Sequence, residues 1–447
     1  MKLETFAATA TPSVEARAAA LRAVVDTIGV ALAGAIEPAA EIVRRVITDS
    51  GPCVVLGTDR RASATNAALA NGTAAHALDY DDMCFVSLAH PSAPLVTSAW
   101  AAAEAAKASG RALLEAYVVG FEIEGRLGRA MNPRHYRRGW HCTSTLGTIG
   151  SAAACARLCG LDEARTLHAL AIAASSASGL KENFGTMVKP LHAGLAARSA
   201  VLAAELARAG MTASAAAIDG PQGFLAAFDS ESPSLDAVVG DLGARWEILD
   251  TGITVKLYPS CAATHPMLDA LIDLQAREHF TADDVERIDV GVDPVTPTVL
   301  IYDRPSSGLE GKFSLPFCAA AAVVNRSVGI ETFDDSQLRD PRIASLQPRV
   351  TMRVDETLDS SAPPLTQARV SVTLKNGKRL VADANGARGY PERPATDDQL
   401  KTKFKSCATR VMSSVQASEA LTALRSLDTV SVSDVSAALA RVRASTP

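Results

Sequence analysis

Residues 144–158 read STLGTIGSAAACARL, a stretch that is apolar nearly all round and contains no proline. Apolar side chains on every face are typical of a helix buried inside a large bundle. A helical pattern continues from Ser13 to about Phe228, and aromatic residues make up only 4% of the chain, so small aliphatic side chains must fill the cores. Alanine is the strongest helix former, which favours closely packed helices. The N-terminal half is therefore predicted to be a large helical domain.

The pattern changes near residue 250. Apolar residues alternate at 288–292, 350–354 and 369–374, and Asn376-Gly377 supplies a hairpin turn after the last of these segments. After Tyr390-Pro391 the pattern is helical again. We therefore predict a mainly α protein. A large all-helical domain is built from both chain ends, residues 1–251 and 388–447, and an α+β lid domain, residues 252–387, is inserted between them.

Composition excludes several classes of protein. The formal net charge is −5, so the chain has no general basic surface for a nucleic-acid partner. The eight cysteines include no CxxC pair, which argues against a disulfide framework and predicts a reducing, cytoplasmic location. No segment approaches the length of uninterrupted apolar sequence that a membrane span needs, and the N-terminus lacks a secretory signal pattern. We therefore expect no membrane partner.

The standard nucleotide, flavin, metalloprotease and hydrolase motifs are missing, since the chain contains no GxxxxGK[ST], GxGxxG, HExxH or GxSxG. What remains is a set of histidine, aspartate and lysine residues near predicted helix ends. Such groups are the usual participants in acid–base catalysis.

The first of these sets is HALDYDD at residues 76–82, followed by His90. His76 and Asp79 lie three residues apart, on one face of a helix. A carboxylate beside an imidazole raises its basicity and fixes its orientation, as proton transfer requires. Two other interpretations stay open: Asp81 and Asp82 could cap the local backbone, and the set could bind a metal, although its spacing matches no defined ligand motif.

Two further sets lie at the starts of later helices. His141 ends the stretch RHYRRGWH, which also contains Arg138, and stands just before a predicted helix whose free N–H groups favour an anion. The stretch KPLHAG contains Lys189 and His192. A lysine at a helix start faces an unfavourable dipole, so this position suggests an anionic partner, either a substrate or a structural carboxylate.

A fourth set, KLYPSCAATHP, opens the inserted domain at residues 256–266. It contains Lys256, Cys261 and His265. Because ligand clefts occur preferentially at domain junctions, this stretch is a candidate for substrate contacts.

At these residues the sequence resembles the MmgE/PrpD family, which includes 2-methylcitrate dehydratase, cis-aconitate decarboxylase and iminodisuccinate epimerase. The stretches that carry the resemblance are, in chain order, NGTAAHALDYDD, AHPSAPLV, GWHCTSTLGTIGSAAA, VKPLHAGLAAR, VKLYPSCAATHP, GKFSLPFCAAA and GYPERPATDDQLKTKF. The resemblance implies a helical domain with an α+β lid, a pocket between the domains, a homodimer, and catalysis without a cofactor or metal on a small anionic di- or tricarboxylate.

The resemblance also carries over individual residues. Asp79 matches the first aspartate of the DxDD motif, and Tyr302 lies near a pocket tyrosine of some members. The expected catalytic residues are Asp79, His90, His141, Lys189 and His265. The expected substrate-binding residues are Lys256, Arg138, His192, Cys261 and Tyr302.

The sequence departs from the decarboxylase subgroup, which places a histidine where Cys261 stands and a threonine where Met83 stands. These departures argue against a cis-aconitate decarboxylase. The stretch Tyr258–Pro266 also lacks the YPAEFH-like pattern of the long 2-methylcitrate dehydratases, and His265 is expected to supply the imidazole instead. The leading hypothesis is a 2-methylcitrate-dehydratase-like lyase. In that reaction His90, paired with Asp79, removes a proton next to a carboxylate, and His141 or His265 protonates the leaving hydroxyl. Two alternatives stay open: an epimerase of the iminodisuccinate type, and a non-catalytic protein that binds polycarboxylates in the same cationic pocket.

Overall fold

The computed structural model describes residues 1–232 and 234–440. The chain divides into two compact units. The helical unit comprises Met1–Glu182, Met187–Val255 and the segment that begins at Thr396. The mixed unit comprises Asn183–Thr186 and Lys256–Ala395.

Helices dominate the described residues, as predicted. In chain order they are α1 (Leu3–Thr9), α2 (Val14–Gly34), α3 (Pro38–Val46), α4 (Ala64–His76), α5 (Ser92–Ala106), α6 (Gly110–Met131), α7 (Arg134–Arg138), α8 (Cys142–Leu158), α9 (Glu163–Ser176), α10 (Val188–Arg208), α11 (Phe224–Ala227), α12 (Asp236–Val239), α13 (Glu247–Asp250), α14 (His265–Glu278), α15 (Gly308–Gly311), α16 (Leu315–Asn325), α17 (Asp335–Leu338), α18 (Pro341–Leu346), α19 (Asp397–Ala408), α20 (Ser414–Arg425) and α21 (Val432–Leu439). The strands are β1 (Cys53–Val54), β2 (Arg61–Ala62), β3 (Val285–Val292), β4 (Val350–Val354), β5 (Gln367–Leu374) and β6 (Arg379–Asn385). Among the described residues, no single helix combines the length and apolar composition needed to cross a membrane, although α2 and α3, bent by 82° at their junction, meet that test as a pair.

Local sequence explains where many of the long helices begin. The side chains of Ser13, Ser63, Ser109 and Asp162 each accept a hydrogen bond from a backbone N–H in the first turn of α2, α4, α6 and α9. This N-cap satisfies a donor that has no partner within the helix. The helical unit is not all-helical as predicted, because β1 and β2 form a small antiparallel ribbon. Strands of two residues are too short for an alternating pattern to reveal.

Two glycines set the approach of α4 to α10. A Cβ atom added to Gly72 would lie 2.9 Å from the Cα of Gly194, and one added to Gly194 would lie 2.5 Å from the carbonyl oxygen of Leu69. Both distances are shorter than ordinary van der Waals contact. The two helix backbones therefore meet without intervening side chains, which brings the C-terminal end of α4 close to the N-terminal end of α10.

The mixed unit contains a four-stranded sheet in the order β4-β3-β5-β6. β3 and β4 are parallel, whereas β5 is antiparallel to both β3 and β6. The predicted Asn376-Gly377 turn joins β5 to β6, and Gly377 has the positive φ of 83° that such a turn requires. Ile288, Val290 and Val370 face the core, as the alternating pattern predicts.

Candidate active site

The loop between α4 and α5 supplies the carboxylates of the candidate site. α4 ends at His76, and Asp79 adopts a left-handed backbone conformation with φ of 52°. This conformation is uncommon for residues other than glycine, and it turns the chain sharply. The side chains of His76, Asp79 and Asp81 are all buried.

Hydrogen bonds fix the tautomer of His76. Lys189 Nζ lies 2.8 Å from His76 Nε2, and a lysine ammonium can only donate, so Nε2 is the acceptor. The proton therefore resides on Nδ1 and is donated to Asp81 Oδ2, 2.7 Å away. Burial lowers the pKa of His76, although Asp81 opposes this effect. Despite its burial, Asp81 has a pKa below its usual range because the facing imidazoles stabilise the carboxylate.

Lys189 also joins the second carboxylate. Its Nζ lies 2.5 Å from Asp79 Oδ1. The ammonium therefore bridges His76 and Asp79, and it is itself buried. Lys189 occupies the first turn of α10, which agrees with its predicted position at a helix start.

His90 closes the other side of the cluster. Its Nδ1 lies 3.3 Å from Asp81 Oδ2, and its Nε2 lies 3.7 Å from Asp79 Oδ1. Asp81 is thus the nearer carboxylate, while the sequence argument paired His90 with Asp79. The His90 side chain is 12% exposed, more than the carboxylates that it faces, so it is the group that a solute can approach.

A second imidazole pair extends the cluster. His141 Nδ1 lies 3.1 Å from His192 Nδ1, so one ring donates and the other accepts. The rings of His90, His76, His141 and His192 form a continuous series, with successive centroids 4.6, 5.6 and 5.3 Å apart. Burial, reinforced by neighbouring cations, lowers the pKa of His192 to about 4 and that of His141 well below its ordinary value. These two imidazoles are therefore neutral at pH 7.

Three helices begin at this cluster. α5 begins two residues after His90, α8 begins immediately after His141, and Lys189 is the second residue of α10. Helix N-termini present unpaired N–H groups and a partial positive charge. Their convergence, together with Lys189, favours an anion next to the imidazoles.

Asp82 faces away from the imidazoles and holds the start of α5. It accepts a hydrogen bond from the backbone N–H of Ser92 and makes a short hydrogen bond to the hydroxyl of Ser92. That hydroxyl lies 2.6 Å from the phenol oxygen of Tyr117. Burial raises the pKa of Asp82 to about 8, so this carboxyl is mostly protonated at neutral pH.

The helical unit brings five of the predicted residues together, and these are Asp79, His90, His141, Lys189 and His192. Arg138 does not join them. It is exposed at the end of α7, and within residues 1–232 and 234–440 no hydrogen bond or ion pair links it to the cluster. Arg137 and Arg138 are exposed at the end of α7, whereas His135 and Tyr136 are buried, so the Arg138 guanidinium stays in water. His76 and Asp81 were missing from the predicted site, although their place in the HALDYDD stretch signalled both.

The remaining predicted residues belong to the mixed unit. Lys256 Nζ donates to the carbonyl oxygen of Ser260, 3.0 Å away, and His265 Nε2 lies 3.2 Å from the same oxygen. Cys261 lies between them in the chain and is partly exposed. The hydroxyl of Tyr302 donates to the carbonyl oxygen of Phe184. The substrate contacts expected of these side chains stay a prediction.

The cluster contains four residues of types that commonly bind metal ions. His76, Asp79, Asp81 and His90 each offer a ligand atom, and these atoms lie within 4.8 Å of one another. Lys189 Nζ, however, already contacts His76 Nε2 and Asp79 Oδ1. A divalent cation would have to displace this ammonium, so the donor set does not fit a metal while Lys189 remains in place. That no metal is required stays a prediction.

Comparison with known proteins supports the resemblance. The model of the MmgE/PrpD N-terminal domain matches residues 3–235, and that of the C-terminal domain matches residues 258–429. Cis-aconitate decarboxylase of Mus musculus is 30% identical over 371 residues, covering 79% of this chain and 74% of that protein. The Homo sapiens enzyme of the same name is 29% identical over 411 residues, covering 88% and 83%. Cis-aconitate decarboxylase of Aspergillus terreus is 26% identical over 381 residues, covering 80% and 77%.

These matches favour an enzyme over the non-catalytic binding protein. Both domain models match in the expected order, and together they span most of the chain. The chain is therefore an enzyme of the MmgE/PrpD family.

Proposed function

We propose that this enzyme is a cofactor-independent lyase that acts on a small di- or tricarboxylate through a carbanion next to a carboxylate. The observation that carries the proposal is the series of four imidazoles with two carboxylates and Lys189, at the point where three helices begin. Removing a proton next to a carboxylate gathers negative charge on the carboxylate oxygens. Preorganised donors in a water-poor site stabilise such charge far better than water does.

The proton-transfer roles follow from exposure and charge. His90 is the base, because its ring is the accessible one and lies against two carboxylates that stabilise its protonated form. His141, which is hydrogen-bonded to His192, is the acid. Burial lowers its pKa, but a bound anion raises this pKa again, so that His141 gains the proton that it donates. Lys189 and the helix N-termini hold the substrate carboxylate.

Dehydration is the leading reaction. The base takes the proton from carbon, the C–O bond breaks with its electron pair leaving on oxygen, and the acid protonates the departing hydroxyl as a C=C bond forms. Decarboxylation is the second candidate, and the similarity to cis-aconitate decarboxylases favours it. In that case the C–C bond to CO₂ breaks, and the acid protonates a carbon as the double bond moves. Cys261 and Met83, which replace the histidine and threonine of the decarboxylase subgroup, argue against decarboxylation as the leading reaction.

The test is turnover by purified protein. 2-Methylcitrate, citrate, malate and cis-aconitate are each incubated in D₂O, and products are followed by proton NMR together with released CO₂. A new alkene without CO₂ identifies a dehydratase, and CO₂ release identifies a decarboxylase. Deuterium in unchanged substrate identifies the epimerase alternative.

Control variants make this test specific. His90→Asn removes the base, whereas His279→Asn alters an exposed histidine whose positive φ asparagine accepts. The proposal predicts loss of turnover in the first variant and wild-type turnover in the second. Folded protein that converts none of the acids contradicts the proposal, as does equal turnover in His90→Asn.

A further inference from the structure

A buried ion pair outside the cluster reaches the loop that carries the carboxylates. Lys403 lies on α19, and its Nζ lies 2.7 Å from Asp26 Oδ1 on α2. The same Nζ donates to the carbonyl oxygen of Tyr80, 2.8 Å away, and lies 4.1 Å from the centre of its ring. Lys403 and Asp26 are 4% and 2% exposed. One ammonium therefore joins two distant helices to the backbone of the loop.

Such a pair needs an explanation other than stability. Taking an ammonium and a carboxylate out of water costs several kcal/mol each, and well-packed apolar side chains of similar volume are often as stable or more stable. Burial raises the pKa of Asp26, Lys403 opposes this, and Asp81 raises it further. The contact of Lys403 with the carbonyl of Tyr80 places the pair next to Asp81 in the chain.

The position of the carbonyl suggests what the pair does. Tyr80 lies between Asp79, which binds Lys189, and Asp81, which binds His76. The left-handed conformation of Asp79 costs energy and persists only where surrounding contacts hold it. A hydrogen bond to the next peptide unit is such a contact. The carbonyl that accepts it belongs to the Tyr80–Asp81 peptide, one of the two peptide units between the carboxylates.

We propose that Lys403 is a positioning residue, whose ammonium, neutralised by Asp26, holds the Tyr80 carbonyl and so directs the Asp79 and Asp81 carboxylates. Lys403 acts through the backbone of the loop. The C-terminal segment of the helical unit thereby shapes a cluster formed by the N-terminal segment. The effect of this positioning on turnover rests on the proposed function, but its effect on the loop does not.

The first test measures the loop directly. The double variant Asp26→Asn/Lys403→Met removes both charges together, so no buried charge is left alone. Hydrogen–deuterium exchange of the amides of residues 79–84 is expected to become about tenfold faster, because a segment that has lost a stabilising contact opens more often. If the double variant does not fold, Lys403→Arg keeps the charge but displaces the donor, and the same acceleration is expected.

The control is a second link between α2 and the C-terminal segment. Arg410 Nη1 lies 2.9 Å from Glu37 Oε1 and 3.2 Å from the carbonyl oxygen of Ala33. Arg410→Met removes this link without touching the loop, so exchange of residues 79–84 should equal that of the wild type. Unchanged loop exchange in the folded double variant overturns the proposal, and so does equal acceleration in Arg410→Met.

The second test measures turnover. In the double variant kcat is expected to fall about 10- to 100-fold while KM changes less, because misplaced reacting groups slow chemistry more than binding. A purely structural role would lower thermal stability and leave kcat per folded molecule at the wild-type value, which would also overturn the proposal. If the wild type turns over none of the acids, the proposed function fails, and the exchange experiment still decides the role of Lys403.

Discussion

At the scale of single residues, His76 and His90 differ in their hydrogen-bond partners and in their exposure. His76 is held as the Nδ1–H tautomer by Lys189 on one side and Asp81 on the other. His90 contacts Asp81 and Asp79 and is the more exposed ring. The residue that moves a proton is therefore expected to be His90, and His76 is expected to keep the carboxylate and the lysine in place.

Replacing the base gives the first prediction. In His90→Asn, kcat should fall by about 100- to 10,000-fold, the usual contribution of a positioned acid or base. The free energy of unfolding should also fall, by about 1–3 kcal/mol, because His90 is only 12% exposed and helps to stabilise the buried Asp81 carboxylate. Steady-state kinetics and urea denaturation measure the two quantities. A kcat within threefold of the wild type would remove His90 from the mechanism.

Asp82 gives a prediction about pH. Its pKa is raised from 3.8 to about 8, so between these values the folded state holds a proton that the unfolded state has lost. The raised pKa of Asp82 therefore contributes fully to the free energy of unfolding below pH 4. As the pH rises from 4 to 8, this contribution declines by up to about 1.4 kcal/mol per pH unit. Asparagine mimics the protonated carboxyl, so Asp82→Asn should show a weaker decline. Urea denaturation at pH 5.5, 7 and 8.5 tests this, and identical declines in both proteins would contradict it.

Lys189 gives a prediction about metals. Because its ammonium already contacts two of the four potential ligands, dialysis of the wild type against a chelator should leave kcat unchanged. The measurement is activity before and after dialysis, together with elemental analysis of the dialysed protein. Loss of activity that returns with one added divalent metal would show that the cluster is a metal site.

The sequence predicted most residues of the cluster but not how His90 and the aspartates pair. Asp79, His90, His141 and Lys189 follow from motifs at helix ends, and the structure places them together. The choice of Asp81 over Asp79 as the nearer partner of His90 depends on the left-handed turn at Asp79. No spacing rule reveals that turn, because aspartate adopts it only in a minority of cases.

At the scale of elements, the approach of α4 to α10 determines where the cluster forms. Periodicity predicted both helices, but the Gly72–Gly194 contact joins segments far apart in the chain and leaves no local signal. Lys189 and Pro190 precede the regular apolar pattern, yet both lie in the first turn of the helix.

Gly194→Ala tests the helix contact. The added methyl group would meet the carbonyl oxygen of Leu69 at 2.5 Å, so the backbones must separate. We expect a loss of about 1–3 kcal/mol in the free energy of unfolding, as for other overpacked sites. We also expect a lower kcat, because Lys189 and His76 move apart.

A matched control is Gly240→Ala, where the nearest atom to the added methyl group lies 3.9 Å away. This variant should match the wild type in stability and in kcat. Chemical denaturation and steady-state kinetics of both variants decide the matter. Wild-type behaviour in Gly194→Ala would show that the close contact does not set the site.

At the scale of the whole molecule, an acidic chain is expected to bind an anionic substrate. The net charge is −5, so the long-range field opposes binding and the local field must overcome it. Lys189 and the helix N-termini at the cluster provide positive potential, against which the Asp79 and Asp81 carboxylates act. Composition predicts no nucleic-acid partner, but only the arrangement of helix ends indicates where an anion is favoured.

The stabilisation of the folded enzyme by a bound polycarboxylate tests whether the cluster favours an anion. At one hundred times its dissociation constant, a di- or tricarboxylate should stabilise the folded enzyme by about 2.7 kcal/mol, and its melting temperature should rise accordingly. Acetate at equal ionic strength should have little effect, because it offers one carboxylate. In Lys189→Met the shift should disappear. Equal shifts in Lys189→Met and the wild type would place the anion elsewhere.

The most direct measurement is a crystal structure of His90→Asn with a slowly converted or unconverted polycarboxylate bound. We expect density for the acid beside residue 90, with one carboxylate within hydrogen-bonding distance of Lys189 Nζ, the carbon that loses its proton facing residue 90, and the leaving hydroxyl facing His141. An acid bound away from these side chains, or a crystal structure in which His76, His141 and Lys189 do not meet, would contradict it.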